Sequence, residues 1–139
     1  MARYSLDTNT LSHLLHKNQQ VAQKYRAVYA ADHEFLICPV VYFELKRGLL
    51  RKDAKKKMSD MEEILAQFRW QEFERGVWTR AAEGWADAQK NGRSPKDADL
   101  LIAAHALHFS ATLVTANVKD FAFFSGLQVE NWAAAGAGA

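Results

Sequence analysis

Short apolar segments alternate with longer amphipathic segments along the chain. The apolar segments predict strands at about 3–7, 34–38, 69–73 and 112–115, with a weaker strand near 127–130. Between them, the spacing of apolar residues predicts helices at about 8–16, 19–31, 40–50, 53–67, 75–91 and 96–109. Strands that alternate with helices are typical of a parallel sheet covered by helices on both faces. We therefore predict an α/β fold with three layers, α/β/α, around a central, mostly parallel sheet.

Five acidic or amide side chains lie within or beside these segments, where solvent exposure does not readily explain them. They are Asp7, Glu44, Asp99, Asn117 and Asp120. Asp7 and Asn117 follow predicted strands, and Glu44 and Asp99 lie near the starts of helices. In parallel α/β sheets such positions meet beyond the carboxyl ends of the strands, where ligands bind.

Carboxylates gathered at one sheet edge need a compensating positive charge, because burying an unpaired charge is costly. No matching set of Lys or Arg lies in the same segments, so the pattern predicts a divalent cation. Carboxylate oxygens favour Mg²⁺ or Mn²⁺, and such an ion activates a water for attack on phosphorus. Asp7, Glu44 and Asp99 would be its ligands, directly or through water. Asn117 would be the fourth polar side chain that lines the site. Any one of the carboxylates could accept the proton of the water.

Several of these side chains also have a structural interpretation. Asp7 could cap the helix that follows it, and Glu44 could pair with Arg47 one turn later. Asp120 could be the third residue of a short helical turn that Asn117 caps. These alternatives stay open at the level of the sequence.

The segment Ser94-Pro95-Lys96-Asp97 has the order of a capping box. Ser94 would be the N-cap, Pro95 the first helical residue and Asp97 the third. This interpretation gives Asp97 a structural role and leaves Asp99 as the better site residue. Thr115, at the end of a strand, could orient a carboxylate or a water through its hydroxyl.

Length and composition indicate an ordinary globular domain. The chain has 139 residues, of which 49% are hydrophobic and 24% charged, enough for one domain with a real core. No apolar run is long enough to span a membrane, and no signal sequence is recognisable. The single cysteine, Cys38, excludes an internal disulfide and is interpreted as a buried strand thiol, which fits a cytoplasmic location. We expect one domain over residues 1–132 and a flexible Ala/Gly tail over residues 133–139.

The net charge of +2 understates how basic the surface is if several carboxylates converge on a metal. The strongest charge feature is the basic run 46–57, which we interpret as a solvated helix face or a phosphate-binding surface. Its candidate RNA contacts are Lys46, Arg47, Arg51 and Lys52. The five histidines lack the spacing of a zinc site. A stripe formed by Trp78, Ala81, Ala82 and Trp85 is interpreted as core or as a subunit contact.

Four motifs, in this order, carry a resemblance to a known family. They are Asp7-Thr8-Asn9, Glu44-Leu45-Lys46-Arg47-Gly48, Asp99-Leu100-Leu101-Ile102-Ala103-Ala104, and Leu113-Val114-Thr115-Ala116-Asn117-Val118-Lys119-Asp120-Phe121. Together they resemble the PIN-domain ribonucleases and, more narrowly, the VapC toxins of type II toxin–antitoxin pairs. The resemblance covers nearly the whole chain, including the closing segment 126–132.

The resemblance implies a PIN-like nuclease domain, endonucleolytic cleavage of RNA that depends on Mg²⁺ or Mn²⁺, inhibition by a cognate VapB antitoxin, and a homodimer. It implies that Asp7, Glu44, Asp99 and Asn117 are catalytic, the three acids being the metal ligands. The supporting residues are Thr8, Asn9, Thr115 and Asp120. Many PIN domains carry an aspartate where this chain has Asn117, so either Asn117 or Asp120 completes the site.

Three other interpretations remain at this stage. A phosphatase of the haloacid-dehalogenase type also begins with a strand that ends in Asp, but it needs a second Asp where this chain has Asn9. A response-regulator receiver domain needs an acidic pair near the first strand and a late lysine after a strand. This chain lacks the acidic pair and has no convincing lysine at such a position. A catalytically inert PIN-fold module that binds RNA or a protein partner does not explain why Asp7, Glu44 and Asp99 all occur together.

Overall fold

A computed structural model describes residues 1–133 of the chain. Its strands are β1 (Arg3–Leu6), β2 (Glu34–Ile37), β3 (Arg69–Trp70), β4 (Ala111–Val114) and β5 (Val129–Glu130). Its helices are α1 (Thr8–Leu15), α2 (Gln19–Ala30), α3 (Pro39–Arg51), α4 (Lys55–Leu65), α5 (Arg75–Lys90), α6 (Asp97–His108) and α7 (Val118–Phe121). Every strand and helix predicted from the sequence is present, and α7 is the short turn expected around Asp120.

The five strands form one parallel sheet in the order β3-β2-β1-β4-β5. Ser5 of β1 pairs with Leu36 on one side and Leu113 on the other, and all three residues are buried. A central strand with helices on both sheet faces has no solvated face, which explains why these strands read as largely apolar runs. The predicted α/β fold with three layers is confirmed.

Strand β3 is shorter than the predicted segment 69–73. Only Arg69 and Trp70 pair with β2. Gln71 still donates its N–H to the carbonyl of Ile37 at 3.3 Å, but its own carbonyl accepts a hydrogen bond from Nε2 of His105 at 2.8 Å. The chain leaves the sheet at this point because Gln71 is tied to α6.

His105 is fully buried on α6, with the rings of Phe73 and Phe109 at centroid distances of 5.2 and 5.0 Å. Because a carbonyl oxygen only accepts, Nε2 carries the proton, while Nδ1 has no hydrogen-bond partner within residues 1–133. Burial lowers the pKa of the imidazole, and the hydrogen bond to Gln71 opposes part of that change. The folded protein therefore favours neutral His105.

Acidification is expected to destabilise the protein through His105. Its pKa lies lower in the folded state than in the unfolded chain, so the unfolded chain takes up more protons as the pH falls below about 6.5. The His105→Gln variant keeps an N–H donor for Gln71 but does not titrate. Its free energy of unfolding should fall less than that of the wild type between about pH 7.5 and about pH 5 in urea denaturation. Equal losses in the two proteins would contradict this role.

Helix α6 starts later than the predicted capping box requires. It begins at Asp97, and its N-cap Lys96 makes no side-chain capping bond. The hydroxyl oxygen of Ser94 instead accepts a hydrogen bond from Nε2 of Gln89 at 3.3 Å, which ties Ser94 to the end of α5. The capping-box interpretation of Ser94 and Asp97 is wrong. Asp97 and Asp99 both lie in the first turn, where the helix dipole favours negative charge, so Asp99 has a structural role that was not expected.

The tryptophans of α5 do not lie in the core. Trp78 is 52% exposed and Trp85 is 49% exposed. Together with Ala81, Leu100 and Leu101 they line a cavity of about 460 Å³ between α5 and α6. The interpretation of this stripe as core is confirmed for Ala81, which is buried, and wrong for the two tryptophans. The interpretation as a subunit contact stays a prediction.

Cys38 is fully buried, as predicted. Burial raises the pKa of its thiol to about 12, so the thiolate that would react is not formed near neutral pH. The tail predicted at residues 133–139 lies outside the described residues, apart from Ala133. Within residues 1–133, no helix combines the length and the apolar character needed to cross a bilayer.

Candidate active site

The predicted acidic residues come together beyond the carboxyl ends of β1 and β4. Asp7 directly follows β1, and its N–H donates to the carbonyl of Val114 in β4 at 2.8 Å. Glu44 reaches this region from α3, and Asp99 from the first turn of α6. Asp7 and Asp99 lie close enough to the other carboxylates for those charges to change the pKa of each. Segments far apart in sequence thus meet at one edge of the sheet, as parallel topology requires.

Both oxygens of the Asp7 carboxylate accept hydrogen bonds. Oδ1 accepts the N–H of Thr8 at 2.8 Å, which makes Asp7 the N-cap of α1. Oδ2 accepts the hydroxyl of Thr115 at 2.8 Å and the amide of Asn9 at 3.4 Å. The capping interpretation of Asp7 is confirmed, and so is the prediction that Thr115 orients a carboxylate. A side chain held at three points is fixed before any ligand arrives.

Asn9 joins α1 to the segment that follows β4. Its Oδ1 accepts the N–H of Ala116 at 3.0 Å, and its Nδ2 lies 3.4 Å from Oγ1 of Thr115. Thr10 adds a second link, because its buried hydroxyl donates to the carbonyl of Val114 at 3.0 Å. No sequence pattern singled out Thr10 as part of the site. Its position three residues beyond Asp7, close to one helical turn, is the sequence feature that places Thr10 near β4.

Glu44 is half-buried, and its Oε1 accepts the hydroxyl of Thr8 at 2.8 Å. Thr8 thereby connects the carboxylate of α3 to the residue next to Asp7. Arg47 is not the partner of Glu44, since its guanidinium lies over the ring of Phe43 with Cζ 4.8 Å from the centroid. The predicted pair of Glu44 and Arg47 is therefore not formed. Within residues 1–133, no Lys or Arg forms an ion pair with Glu44.

Burial raises the pKa of both Asp7 and Asp99 above the ordinary value. For Asp7, hydrogen bonds from Thr115 and Thr8 oppose part of the rise, and neighbouring carboxylates add to it. For Asp99, the charges of the other acids add to the rise and Lys96 opposes it. Asp99 accepts no hydrogen bond from another side chain described in residues 1–133, so its oxygens remain available. Lys96, which no sequence pattern singled out, supplies a positive charge beside the site.

Asn117 and Asp120 relate to the site in different ways. Asn117 is exposed, occupies the N-cap position of α7 without a side-chain capping bond, and donates its backbone N–H to Oγ1 of Thr115 at 3.1 Å. Asp120 is the third residue of α7, as predicted, and its charge raises the pKa of both Asp7 and Asp99. Asn117 supports the site through its backbone, whereas Asp120 acts on the carboxylates through its charge.

The basic residues proposed to contact RNA are divided between two sides of α3. Lys46 faces α4, where its Nζ lies 3.5 Å from a carboxylate oxygen of Glu62. Arg47, Arg51 and Lys52 are exposed along the helix and beyond its end. These three cations are available to a polyanion, while Lys46 is partly engaged.

Carboxylate oxygens are ligands that suit Mg²⁺ or Mn²⁺. A cation at this position would also neutralise the negative charges that repel one another. Within residues 1–133, no three Asp, Glu, His or Cys side chains are grouped closely enough to bind one ion together. Mg²⁺ keeps several waters and needs only one or two direct carboxylates. Asp7 could hold such an ion directly, with Glu44 and Asp99 acting through its waters.

Comparison with known proteins gives the family. A family model described as PIN domain matches residues 4–124. The chain is similar to Ribonuclease VapC2 of Rickettsia felis, with 28% identity over 130 residues that cover 93% of this chain and 97% of that protein. It is also similar to Ribonuclease VapC1 of Haemophilus influenzae, with 26% identity and the same coverage.

Solved structures agree in fold. The crystal structure of VapBC2 from Rickettsia felis bound to a DNA fragment from their promoter matches with a TM-score of 0.85 and 27% identity, covering 94% of this chain and 98% of that one. The structure of VapBC-1 from nontypeable Haemophilus influenzae matches in fold with a TM-score of 0.83, at 23% identity over 95% of this chain and 99% of that one. With the family model matched over most of its length and the carboxylates gathered at the sheet edge, the chain belongs to the PIN domain family.

Proposed function

We propose that the protein is the toxin of a type II toxin–antitoxin pair and an endoribonuclease that depends on Mg²⁺ or Mn²⁺. The observation that carries this proposal is the carboxylate Asp7, fixed by Thr115, Thr8 and Asn9, beside Asp99 with its raised pKa. Such a site, in a PIN domain whose relatives carry the name ribonuclease VapC, favours phosphodiester hydrolysis. In this proposal residues 1–132 form the nuclease domain.

Each carboxylate has a distinct role in the proposed reaction. When bound, the metal ion supplies a water of lowered pKa and neutralises charge on the departing oxygen. Asp7 would hold the ion, because the orientation of its side chain is already fixed and little side-chain entropy would be lost on binding. Glu44, whose Oε1 accepts the hydroxyl of Thr8, and Asp99 would hold the ion through water.

We assign the general base to Asp99. Both oxygens of Asp7 already accept hydrogen bonds from the protein, whereas those of Asp99 accept none from other side chains in residues 1–133. A general base needs an oxygen that is free to accept the proton, and the burial that raises the pKa of Asp99 makes this carboxylate the stronger proton acceptor. Lys96, which opposes this shift, is placed to contact a phosphate of the substrate.

The proposed partners are RNA, a VapB-type antitoxin and a second copy of the chain, and the proposed compartment is the cytoplasm, which holds RNA substrates. Two solved relatives are named as VapBC complexes, which supports a VapB-type antitoxin as a partner of this chain. The half-exposed Trp78 and Trp85 beside the cavity between α5 and α6 support the homodimer, because an apolar patch of this kind is often covered by another protein surface.

The proposed function is tested with purified protein and total RNA. We expect cleavage with Mg²⁺ or Mn²⁺, no cleavage with a chelator, and recovery when the metal is restored in excess. In cells, expression of the chain alone should arrest growth, and co-expression with a cognate antitoxin should restore it. Normal growth at high expression, together with no cleavage at any metal concentration, would instead indicate an inert binding module.

A further inference from the structure

An exposed aromatic ring lies on α3, the helix that carries Glu44. Phe43 precedes Glu44 in α3 and is 58% exposed. The Arg47 guanidinium lies over its ring, with Cζ 4.8 Å from the centroid. An exposed aromatic ring with a guanidinium over one face offers a flat, positively charged surface on which a nucleic-acid base can stack.

The α3 surface around this pair is open and positively charged. A β-carbon at Gly48, one turn beyond Glu44, would meet no atom within 4 Å. Arg51 and Lys52 are exposed at the end of the helix. The surface between the basic end of α3 and Glu44 is therefore open at Gly48, where a polyanion would meet no side chain.

We propose that Phe43 and Arg47 form a base-stacking subsite for single-stranded RNA, on the same helix as Glu44. A base of the substrate stacks on the exposed surface of the Phe43 ring, and the guanidinium of Arg47 holds the ring in place and contacts the adjoining phosphate. Unpaired RNA bases stack on aromatic side chains and on Arg planes, which A-form duplexes do not permit. The subsite rests on the proposed function, and it selects unpaired RNA over duplex.

Charge favours RNA over a protein partner at this surface. Apart from Glu44, the charged residues on the outward surface of α3 are cations. An apolar helix of another protein would cover Phe43 and Leu50, which is 62% exposed on the same side of α3, but it would also desolvate Arg47 without a partner for its charge.

The subsite is tested by binding with metal chelated, so that no cleavage occurs. The probes are a short single-stranded RNA of mixed sequence and the same ribose-phosphate backbone without bases. We expect Phe43→Leu to weaken binding of the intact RNA by about tenfold, since one stacked base contributes on the order of 1–3 kcal/mol. Binding of the abasic strand should not change. Phe43→Trp should retain tight binding of the intact RNA, because it keeps an aromatic face.

Leu50→Ala is the matched control, because it removes an exposed apolar side chain from the same side of α3. It should leave binding of both strands unchanged. If the wild type cleaves RNA but Phe43→Leu binds both strands as the wild type does, the subsite is wrong and the proposed function stands. If Phe43→Leu binds RNA normally but escapes inhibition by the antitoxin, the surface binds protein and the subsite is again wrong. If the wild type neither binds nor cleaves RNA, both proposals fail.

Discussion

Replacing Asp7 by Asn is expected to reduce RNA cleavage by at least about a hundredfold, more than the 10–100-fold typical of residues that only support a metal ligand. The substitution removes the charge that would bind the metal but leaves the local structure intact. Asn is as good an N-cap as Asp, so the bond to the Thr8 N–H is retained. The Thr115 hydroxyl, which now donates to Oδ2, can turn to accept from the new amide.

The same variant should be more stable than the wild type when no metal is present. Burial and the charges of Glu44 and Asp120 raise the pKa of Asp7 in the folded state. A folded-state pKa above the unfolded value means that the folded protein binds the proton more tightly, so stability falls as the pH rises through that range. The amide that replaces the carboxylate carries no charge to be penalised. Loss of activity with a higher Tm is the combination expected of a binding site that is not optimised for stability.

Thermal unfolding in chelator and single-turnover cleavage in Mg²⁺ measure the two effects. Asp97→Asn is the matched control, since Asp97 lies in the first turn of α6 like Asp99 but is exposed and outside the acidic group. It should leave cleavage nearly unchanged. Added Mg²⁺ should raise the Tm of the wild type and not that of Asp7→Asn. Cleavage that persists in Asp7→Asn, Glu44→Gln and Asp99→Asn alike would exclude the proposed mechanism.

The fold, and the placement of the acidic residues at one edge of the sheet, were predictable because both follow from the pattern of apolar residues along the chain. Asp7 follows a strand whose last two residues are buried, and Asp99 lies in the first turn of a helix that is apolar on nearly every side. Such elements lie in the core, and parallel strands bring their carboxyl ends to one edge. Polar residues at those points are therefore expected at the same edge of the sheet.

The local partners were not predictable, because several choices differ by about 1 kcal/mol. Ser94 had the right spacing to cap α6, yet its hydroxyl bonds to Gln89 across the turn from α5. Arg47 had the right spacing to pair with Glu44, yet its guanidinium lies over Phe43. In each case two local contacts compete, and tertiary packing decides between them.

The choice between Asn117 and Asp120 as the fourth residue of the site was likewise open in the sequence, and the structure gives physical grounds for Asp120. Its charge raises the pKa of both Asp7 and Asp99, so it shares their electrostatic environment. Within residues 1–133, the Asn117 amide makes no capping bond, and this residue contacts the site through its backbone N–H, which donates to Thr115. A substitution of the Asn117 side chain keeps that backbone contact.

We therefore expect Asp120→Asn to reduce cleavage by about 10–100-fold and to raise the Mg²⁺ concentration that gives half-maximal rate, as loss of an outer metal partner does. Asn117→Ala should change cleavage by less than about threefold, since its effect is limited to the N-cap position of a four-residue helix. Metal titration of the cleavage rate separates the two roles, because damage to α7 alone would lower the rate without changing the Mg²⁺ requirement. The opposite ranking, with Asn117→Ala the more damaging variant, would assign the fourth position to the amide and leave Asp120 as a helix-terminal charge.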